Sequence, residues 1–126
     1  PRFTLAENSD QLFLHYLEGI IESEIYGVFV ATVDDEVGGY AIVAEMDNPE
    51  VFQLRKYGYI CELCVDTGMQ SRGIGTALFD KACQWFKRRE LKVVQLNVSP
   101  LNRGGQEFYR KIGFAPFLNI LWYDLK

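Results

Sequence analysis

The sequence predicts a mixed α/β fold, with a central mixed, mostly antiparallel β-sheet and helices packed on it. Three observations predict it. Two runs of branched and aromatic residues meet at a short polar turn within residues 26–44, as in a β-hairpin. A long amphipathic helix pattern separates two further strand-like runs, at residues 59–65 and 92–98. One helix precedes the set, so the order is βββαβαβ behind a leading helix.

Each element follows from local chemistry. Asn8, Ser9 and Asp10 supply cap side chains, with Gln11 three residues after Asn8 as in a capping box. Leu12, Phe13, Tyr16, Leu17, Ile20 and Ile21 then recur at helical spacing, so a helix is expected over residues 10–23. Residues 26–33 form the first strand, Asp34, Asp35 and Glu36 the turn, and residues 39–44 the second strand. Asp47, Asn48, Pro49 and Glu50 break that strand, and the connection up to Lys56 carries no recognisable pattern. A third strand, residues 59–65, leads through Asp66, Thr67, Gly68 and Met69 into the long helix. In that helix Leu78, Phe79, Ala82, Trp85 and Phe86 share one side, against Asp80, Lys81, Gln84 and Lys87 on the other, so its apolar side must lie on the sheet. Residues 92–98 form a fourth strand, residues 102–111 a third helix and residues 117–123 a closing strand. Trp122 and Tyr123 in that last strand read equally as core or as the surface of a homodimer.

Composition bounds the function. The chain has 126 residues, 48% of them hydrophobic and 14% aromatic, which suits one domain with a real core and argues against disorder. Asp and Glu number 17 against 13 Lys and Arg, a net charge of -4, the wrong sign for a dedicated nucleic-acid binder and easier to reconcile with a cationic or neutral partner. There is no apolar run of membrane-span length, and the first residues lack a signal-peptide pattern, so a soluble cytoplasmic protein is expected. Three cysteines, an odd number, point to reduced thiols. Cys61 and Cys64 are spaced as a CxxC, but on a strand residues three apart point to opposite faces, so no metal site is expected. His15, the single histidine, has no identifiable partner and takes no role. Lys87, Arg88 and Arg89 close the long helix, where cations are favoured by the helix dipole alone.

The strongest local signal is Gln70, Ser71, Arg72, Gly73, Ile74, Gly75 and Thr76, between a strand and the start of the long helix. Glycines there admit a ligand close to the backbone, and the unpaired N–H groups and positive end of the helix favour a phosphate. A Walker loop would continue with Gly-Lys-Ser/Thr, which is missing. A dinucleotide fingerprint would place a third glycine where Leu78 stands.

Residues 65–78, built around Gln70, Arg72, Gly73 and Gly75, resemble the acetyl-CoA-binding motif of the GNAT N-acetyltransferases, Arg/Gln-x-x-Gly-x-Gly/Ala after a β-strand. Asn102, Phe108, Tyr109, Gly113 and Phe114 are similar to the downstream Asn-x-x-Ala-x-x-Phe-Tyr-x-x-x-Gly-Phe segment of the same family. The two matches stand in the family's order and spacing, and the resemblance covers residues 27–114 well. It implies a GNAT-like sheet splayed between the strands at 59–65 and 92–98, with acetyl-CoA as co-substrate and no metal. Backbone N–H groups from Gln70 through Thr76 would hold the coenzyme A pyrophosphate, with a charge contact from Arg72. The pantetheine arm would lie along the third strand against backbone groups of Leu63, Cys64 and Val65. Asn102 would bond that arm through its amide, and Phe108 would pack under the cofactor.

The resemblance also implies a direct attack of a substrate amine on the thioester. Tyr109 corresponds to the acid that protonates the departing thiolate, although from the residues alone Phe108 and Tyr109 read as buried bulk. A protonated amine must first lose a proton, which calls for a base. Glu62 is the candidate, the sole carboxylate in an apolar strand beside the splay, where burial would raise its pKa, and a solvated or paired glutamate is the competing reading. Some relatives carry a base on the next strand, but the comparable position here is Asn97, which cannot take a proton, so Glu62 or an ordered water remains. A backbone N–H near Leu63 or Cys64 would steady the oxyanion.

Family members carry a strand and one or two helices before the hairpin, where this chain has about 25 residues. Arg2 to Glu7 would be a short first strand, or that strand is absent or supplied elsewhere. The expectation is a single domain over residues 1–126, short on its N-terminal, acceptor side. It would acetylate a primary amine of a small molecule or peptide, with a polyamine, aminoglycoside or lysine side chain favoured mildly by charge. The alternative is a non-catalytic acyl-CoA-binding or interaction module on the same fold.

Overall fold

The computed structural model describes residues 6–70 and 72–125. The order is α1 (Ser9–Glu22), β1 (Tyr26–Val33), β2 (Glu36–Asp47), β3 (Lys56–Val65), a short 3-10 turn (Thr67–Met69), α2 (Ile74–Arg88), β4 (Val94–Leu96) and α3 (Arg103–Ile112). The chain divides into two compact units, Pro1–Leu96 and Asn97–Lys126.

The first unit holds a four-stranded sheet in the order β1-β2-β3-β4, antiparallel except for the parallel β3–β4 pair. Asp34 and Asp35 both take positive φ, 52° and 66°, between the paired Val33 and Glu36, which is the two-residue turn whose twist suits a hairpin. β2 is longer than the expected 39–44 because the loop after it is tied: Asn48 N–H bonds Arg55 O and its Nδ2 bonds Leu54 O, each at 2.8 Å. That pairing carries the ladder out to Asp47 opposite Lys56. Ala41, Ile42, Val43 and Ala44 are fully buried, as expected of a central strand covered on both faces.

α2 lies on β1, β2 and β3 through Ile74, Leu78, Ala82 and Phe86, one residue per turn along a single stripe. Ile74 and Leu78 join Ala41 in a cluster that Phe29, Ala31, Val33, Leu63, Val65 and Met69 complete. At the other end of the helix the Phe86 ring lies directly on Gly58, where a Cβ would sit 2.5 Å from Cδ1, so only glycine lets the helix approach β3 this closely. α1 packs on β1.

Two expectations need correction. The fourth strand is confined to Val94–Leu96 rather than residues 92–98. Residues 117–123 form no strand at all: Phe117, Leu118 and Leu121 are 87, 74 and 89% exposed, and a β-prone composition without a ladder to join stays irregular. Of the suggested first strand, Arg2 to Leu5 lie outside the described residues, while Ala6 and Glu7 belong to no strand. Among the described residues no helix is long and apolar enough to cross a membrane, and no group of three or more His, Cys, Asp or Glu could hold a metal ion.

The second unit is built on α3. Asn102 caps it, Oδ1 accepting from Gly105 N–H at 2.9 Å. Gly113, at φ 124°, ends it.

Candidate active site

The strand-to-helix turn after β3 is set by two local devices. Asp66 accepts from the N–H of Gly68 at 3.0 Å, which closes the turn into the 3-10 segment. Gly73, at φ 78°, then occupies the left-handed region at the start of α2, with open space where a Cβ would stand. The first intrahelical bond runs from Ala77 N–H to Gly73 O at 3.0 Å. The N–H groups of Ile74, Gly75 and Thr76 therefore have no intrahelical acceptor, and among the described residues no side chain caps them. Gln70, Arg72 and Thr76 are exposed, while buried Ile74 anchors the turn to the sheet. Ser71 lies outside the described residues.

β3 presents an open edge beside this turn. β4 pairs with it only from Gly58 opposite Val94 to Ile60 opposite Leu96, and no described strand pairs residues 61–65 on that side. The β2–β3 register shifts at the same place, with Glu62 opposite Ile42 but Ile60 opposite Val43, so Cys61 is the extra residue of a bulge. The bulge changes the parity of everything after it. Before it, Gly58 turns its N–H to Val93 O at 2.8 Å, on the β4 side. After it, Asp66 turns its N–H to Gly38 O at 2.8 Å, on the β2 side, so Cys64 faces β2 as well. Leu63 and Val65 consequently direct N–H and C=O to the open edge, while their side chains join the α2 core.

The same bulge turns Glu62 to the face of the sheet opposite α2. There Tyr40 Oη donates to Glu62 Oε2 at 3.0 Å, and the Tyr40 ring stands 6.3 Å from Phe13 of α1. Burial first, then hydrogen bonds to Cys64 and Glu62, push the Tyr40 hydroxyl far above its ordinary range, so it stays a protonated donor. Burial raises Tyr16 likewise, with smaller contributions from Cys61, Tyr26 and Glu62. Glu62 is half-buried and forms no ion pair with another described residue. The sequence reading missed Tyr40. Its signal was available only through register, because Tyr40 and Glu62 lie on different strands, 22 positions apart.

In the second unit, α3 carries Phe108 and Tyr109, both half-buried, with ring centroids 5.3 Å apart at 69°. Tyr109 also meets Phe114 edge to face. With Oδ1 of Asn102 engaged as a cap, its amide nitrogen makes no hydrogen bond among the described residues and keeps two donors for a ligand. Asn97 is exposed and outside any strand. Gln70 to Thr76, Glu62, Leu63, Cys64 and Val65 thus belong to the first unit, and Asn102, Phe108 and Tyr109 to the second.

The chain is similar to known proteins. A model of the acetyltransferase (GNAT) family matches residues 2–114. An uncharacterized N-acetyltransferase of Methanocaldococcus jannaschii is 32% identical over 79% of this chain, which spans 43% of that protein. N-alpha-acetyltransferase 30 of Xenopus laevis is 31% identical over 77% of this chain, which spans 34% of that protein. Among solved structures, AAC(6')-Iy in complex with a coenzyme A bisubstrate analogue superposes with a TM-score of 0.83 at 18% identity, covering 95% of this chain and 82% of its own. The chain spans less than two thirds of the length of these curated relatives.

Proposed function

The chain belongs to the acetyltransferase (GNAT) family, and on that premise we propose that it transfers an acetyl group from acetyl-CoA to a primary amine of a small molecule or peptide. The observation that carries this reading is the row of uncapped N–H groups at Ile74, Gly75 and Thr76, set beside a strand edge that Leu63 and Val65 leave open. Helix-terminal N–H groups suit a pyrophosphate, and a free strand edge suits an amide-bearing arm such as pantetheine. Arg72 is exposed at the same turn and adds a positive charge for phosphate. Asn102 serves as a donor to the arm, and Phe108 as an apolar wall for the thiol end. The structural neighbour's coenzyme A ligand is in keeping with this co-substrate.

The reaction then proceeds by direct attack. Glu62 takes one proton from the ammonium, and the free amine forms a bond to the thioester carbon. The carbonyl oxygen becomes an oxyanion, held by the N–H of Leu63 on the open edge. Collapse breaks the C–S bond. Tyr109 gives its proton to the leaving sulfur and recovers one from the acylated nitrogen, while Glu62 releases its proton to solvent. Acetylated amine, free thiol and one proton result. An acidic chain, at net charge -4, favours a cationic acceptor, and the relatives include an N-alpha-acetyltransferase. Three free thiols suit a reducing compartment and so favour the cytoplasm.

Calorimetric titration tests the cofactor half. Acetyl-CoA and coenzyme A are expected to bind competitively, with Arg72→Ala weakening both by several-fold. Preferential binding of NAD or ATP would reject the reading. Tight acetyl-CoA binding without thiol release on any amine would instead favour a binding module.

A further inference from the structure

Resting on Glu62 as the proton acceptor of that reaction, we propose that Tyr40 is a positioning residue, fixing the Glu62 carboxylate through a hydroxyl hydrogen bond on the face of the sheet opposite α2. The two side chains meet because of the bulge. Gly58 faces α2 and so do Leu63 and Val65, an odd separation that a regular strand would not allow. The extra residue Cys61 moves Glu62 to the face shared with Tyr40, whose strand neighbour across the ladder is Cys64. Deleting one residue of β3 here would return Glu62 to the α2 core and leave Tyr40 without its acceptor.

The hold is specific in three ways. Of the two Glu62 oxygens Tyr40 Oη engages Oε2, at 3.0 Å, and no described residue donates to Oε1, which is left to receive a proton. The Tyr40 ring is itself braced by Phe13, which lies 6.1 Å from Tyr16 farther along α1. The charge of Glu62 acts on Tyr16 of α1, Tyr40 of β2 and Cys61 of its own strand, Cys64 stands opposite Tyr40 on the ladder, and no described cation forms an ion pair with Glu62. A carboxylate paired to Arg would make a poor base. One steadied by a neutral hydroxyl keeps its charge and its orientation while remaining able to accept a proton.

The test follows the carboxyl itself, by carbon-detected NMR of the Glu62 side chain at one fixed pH in wild type, Tyr40→Phe and Tyr16→Phe. Loss of the donor in Tyr40→Phe is expected to move the Glu62 carboxyl carbon signal, with Tyr16→Phe leaving it nearly unmoved. With an amine turned over by wild type, kcat should fall about tenfold in Tyr40→Phe, with the KM for acetyl-CoA held. The reciprocal variant covers a failure of Tyr40→Phe to fold: in Glu62→Gln the Tyr40 phenol should ionise at lower pH than in wild type. An unmoved Glu62 carboxyl signal in folded Tyr40→Phe, or an unmoved Tyr40 titration in Glu62→Gln, overturns the proposal. Absence of thiol release by wild type would reject acetyl transfer, and the carboxyl signal and the Tyr40 titration would still decide whether Tyr40 holds Glu62.

Discussion

The backbone N–H of Phe114 donates to the carbonyl of Tyr109 at 2.9 Å, and the two rings meet edge to face with centroids 5.5 Å apart at 73°. With Gly113 N–H bonded to Arg110 O at 3.1 Å, these contacts make up the left-handed C-terminal cap that ends many helices, including its apolar clasp. The spacing Phe-Tyr-x-x-x-Gly-Phe thus has a physical reason: the glycine reverses the chain so that Phe114 returns to brace Tyr109. Gly113 sits at φ 124°, where a Cβ is strained. Gly113→Ala is expected to destabilise α3 by about 1–2 kcal/mol. Urea denaturation and faster amide exchange at residues 113 and 114 would register it, and unchanged exchange would contradict the clasp.

Asn102 has two separable roles. Asn102→Ala should lose the α3 cap, about 1 kcal/mol of stability, together with coenzyme A affinity. Asn102→Asp keeps an oxygen for Gly105 N–H but removes the amide donors, so stability should hold while affinity falls. Thermal denaturation and calorimetry, run on both variants, separate cap from ligand.

Gly58 under Phe86 is a packing prediction. A Cβ there would come within 2.5 Å of the ring, and the ring is fully buried, so it has little room to yield. Gly58→Ala should lower stability by about 1–3 kcal/mol. A change within a few tenths would show that α2 can lift from β3 without loss.

Thiol reactivity should divide the strand cysteines. Cys64 is exposed, whereas burial first and the charge of Glu62 second push the Cys61 thiol above its ordinary 9.0. At pH 8 an alkylating reagent should modify Cys64 well before Cys61, with Cys61 labelling speeding up as the pH rises. The folded state holds the Cys61 proton more tightly than the unfolded chain. Its contribution to stability is therefore complete below the unfolded thiol value and is lost as pH rises through the folded one. Mass mapping of labelled peptides and a melting curve against pH check the two halves.

Much of the fold was legible because periodicity reports which face is buried. α1 at Ser9–Glu22 and the stripe of α2 follow their apolar spacing, and Asp34 and Asp35 are the residue type a tight hairpin turn tolerates. Residues 117–123 failed as a strand because β-propensity is realised only on a partner, which a one-dimensional pattern does not contain. The candidate site divides on the same principle. Gln70 to Thr76 are contiguous, so their chemistry was readable in order. Tyr40 was not, since its meeting with Glu62 depends on a single inserted residue, Cys61, in the pairing of two strands. The bulge also decides that Leu63 and Val65, rather than Cys64, turn backbone groups to the open edge.

Acetyl transfer to an amine with Tyr109 as the acid pairs every released thiol with one acetylated amine. The most direct measurement is thiol release from acetyl-CoA over a panel of polyamines, aminoglycosides and peptides, with product mass recorded for wild type and Tyr109→Phe. Thiol release matched by acetylated amine in wild type, and turnover lowered at least tenfold in Tyr109→Phe with acetyl-CoA affinity retained, is the result predicted. Acetyl-CoA binding with no acetylated product from any amine, or full turnover in Tyr109→Phe, would contradict it.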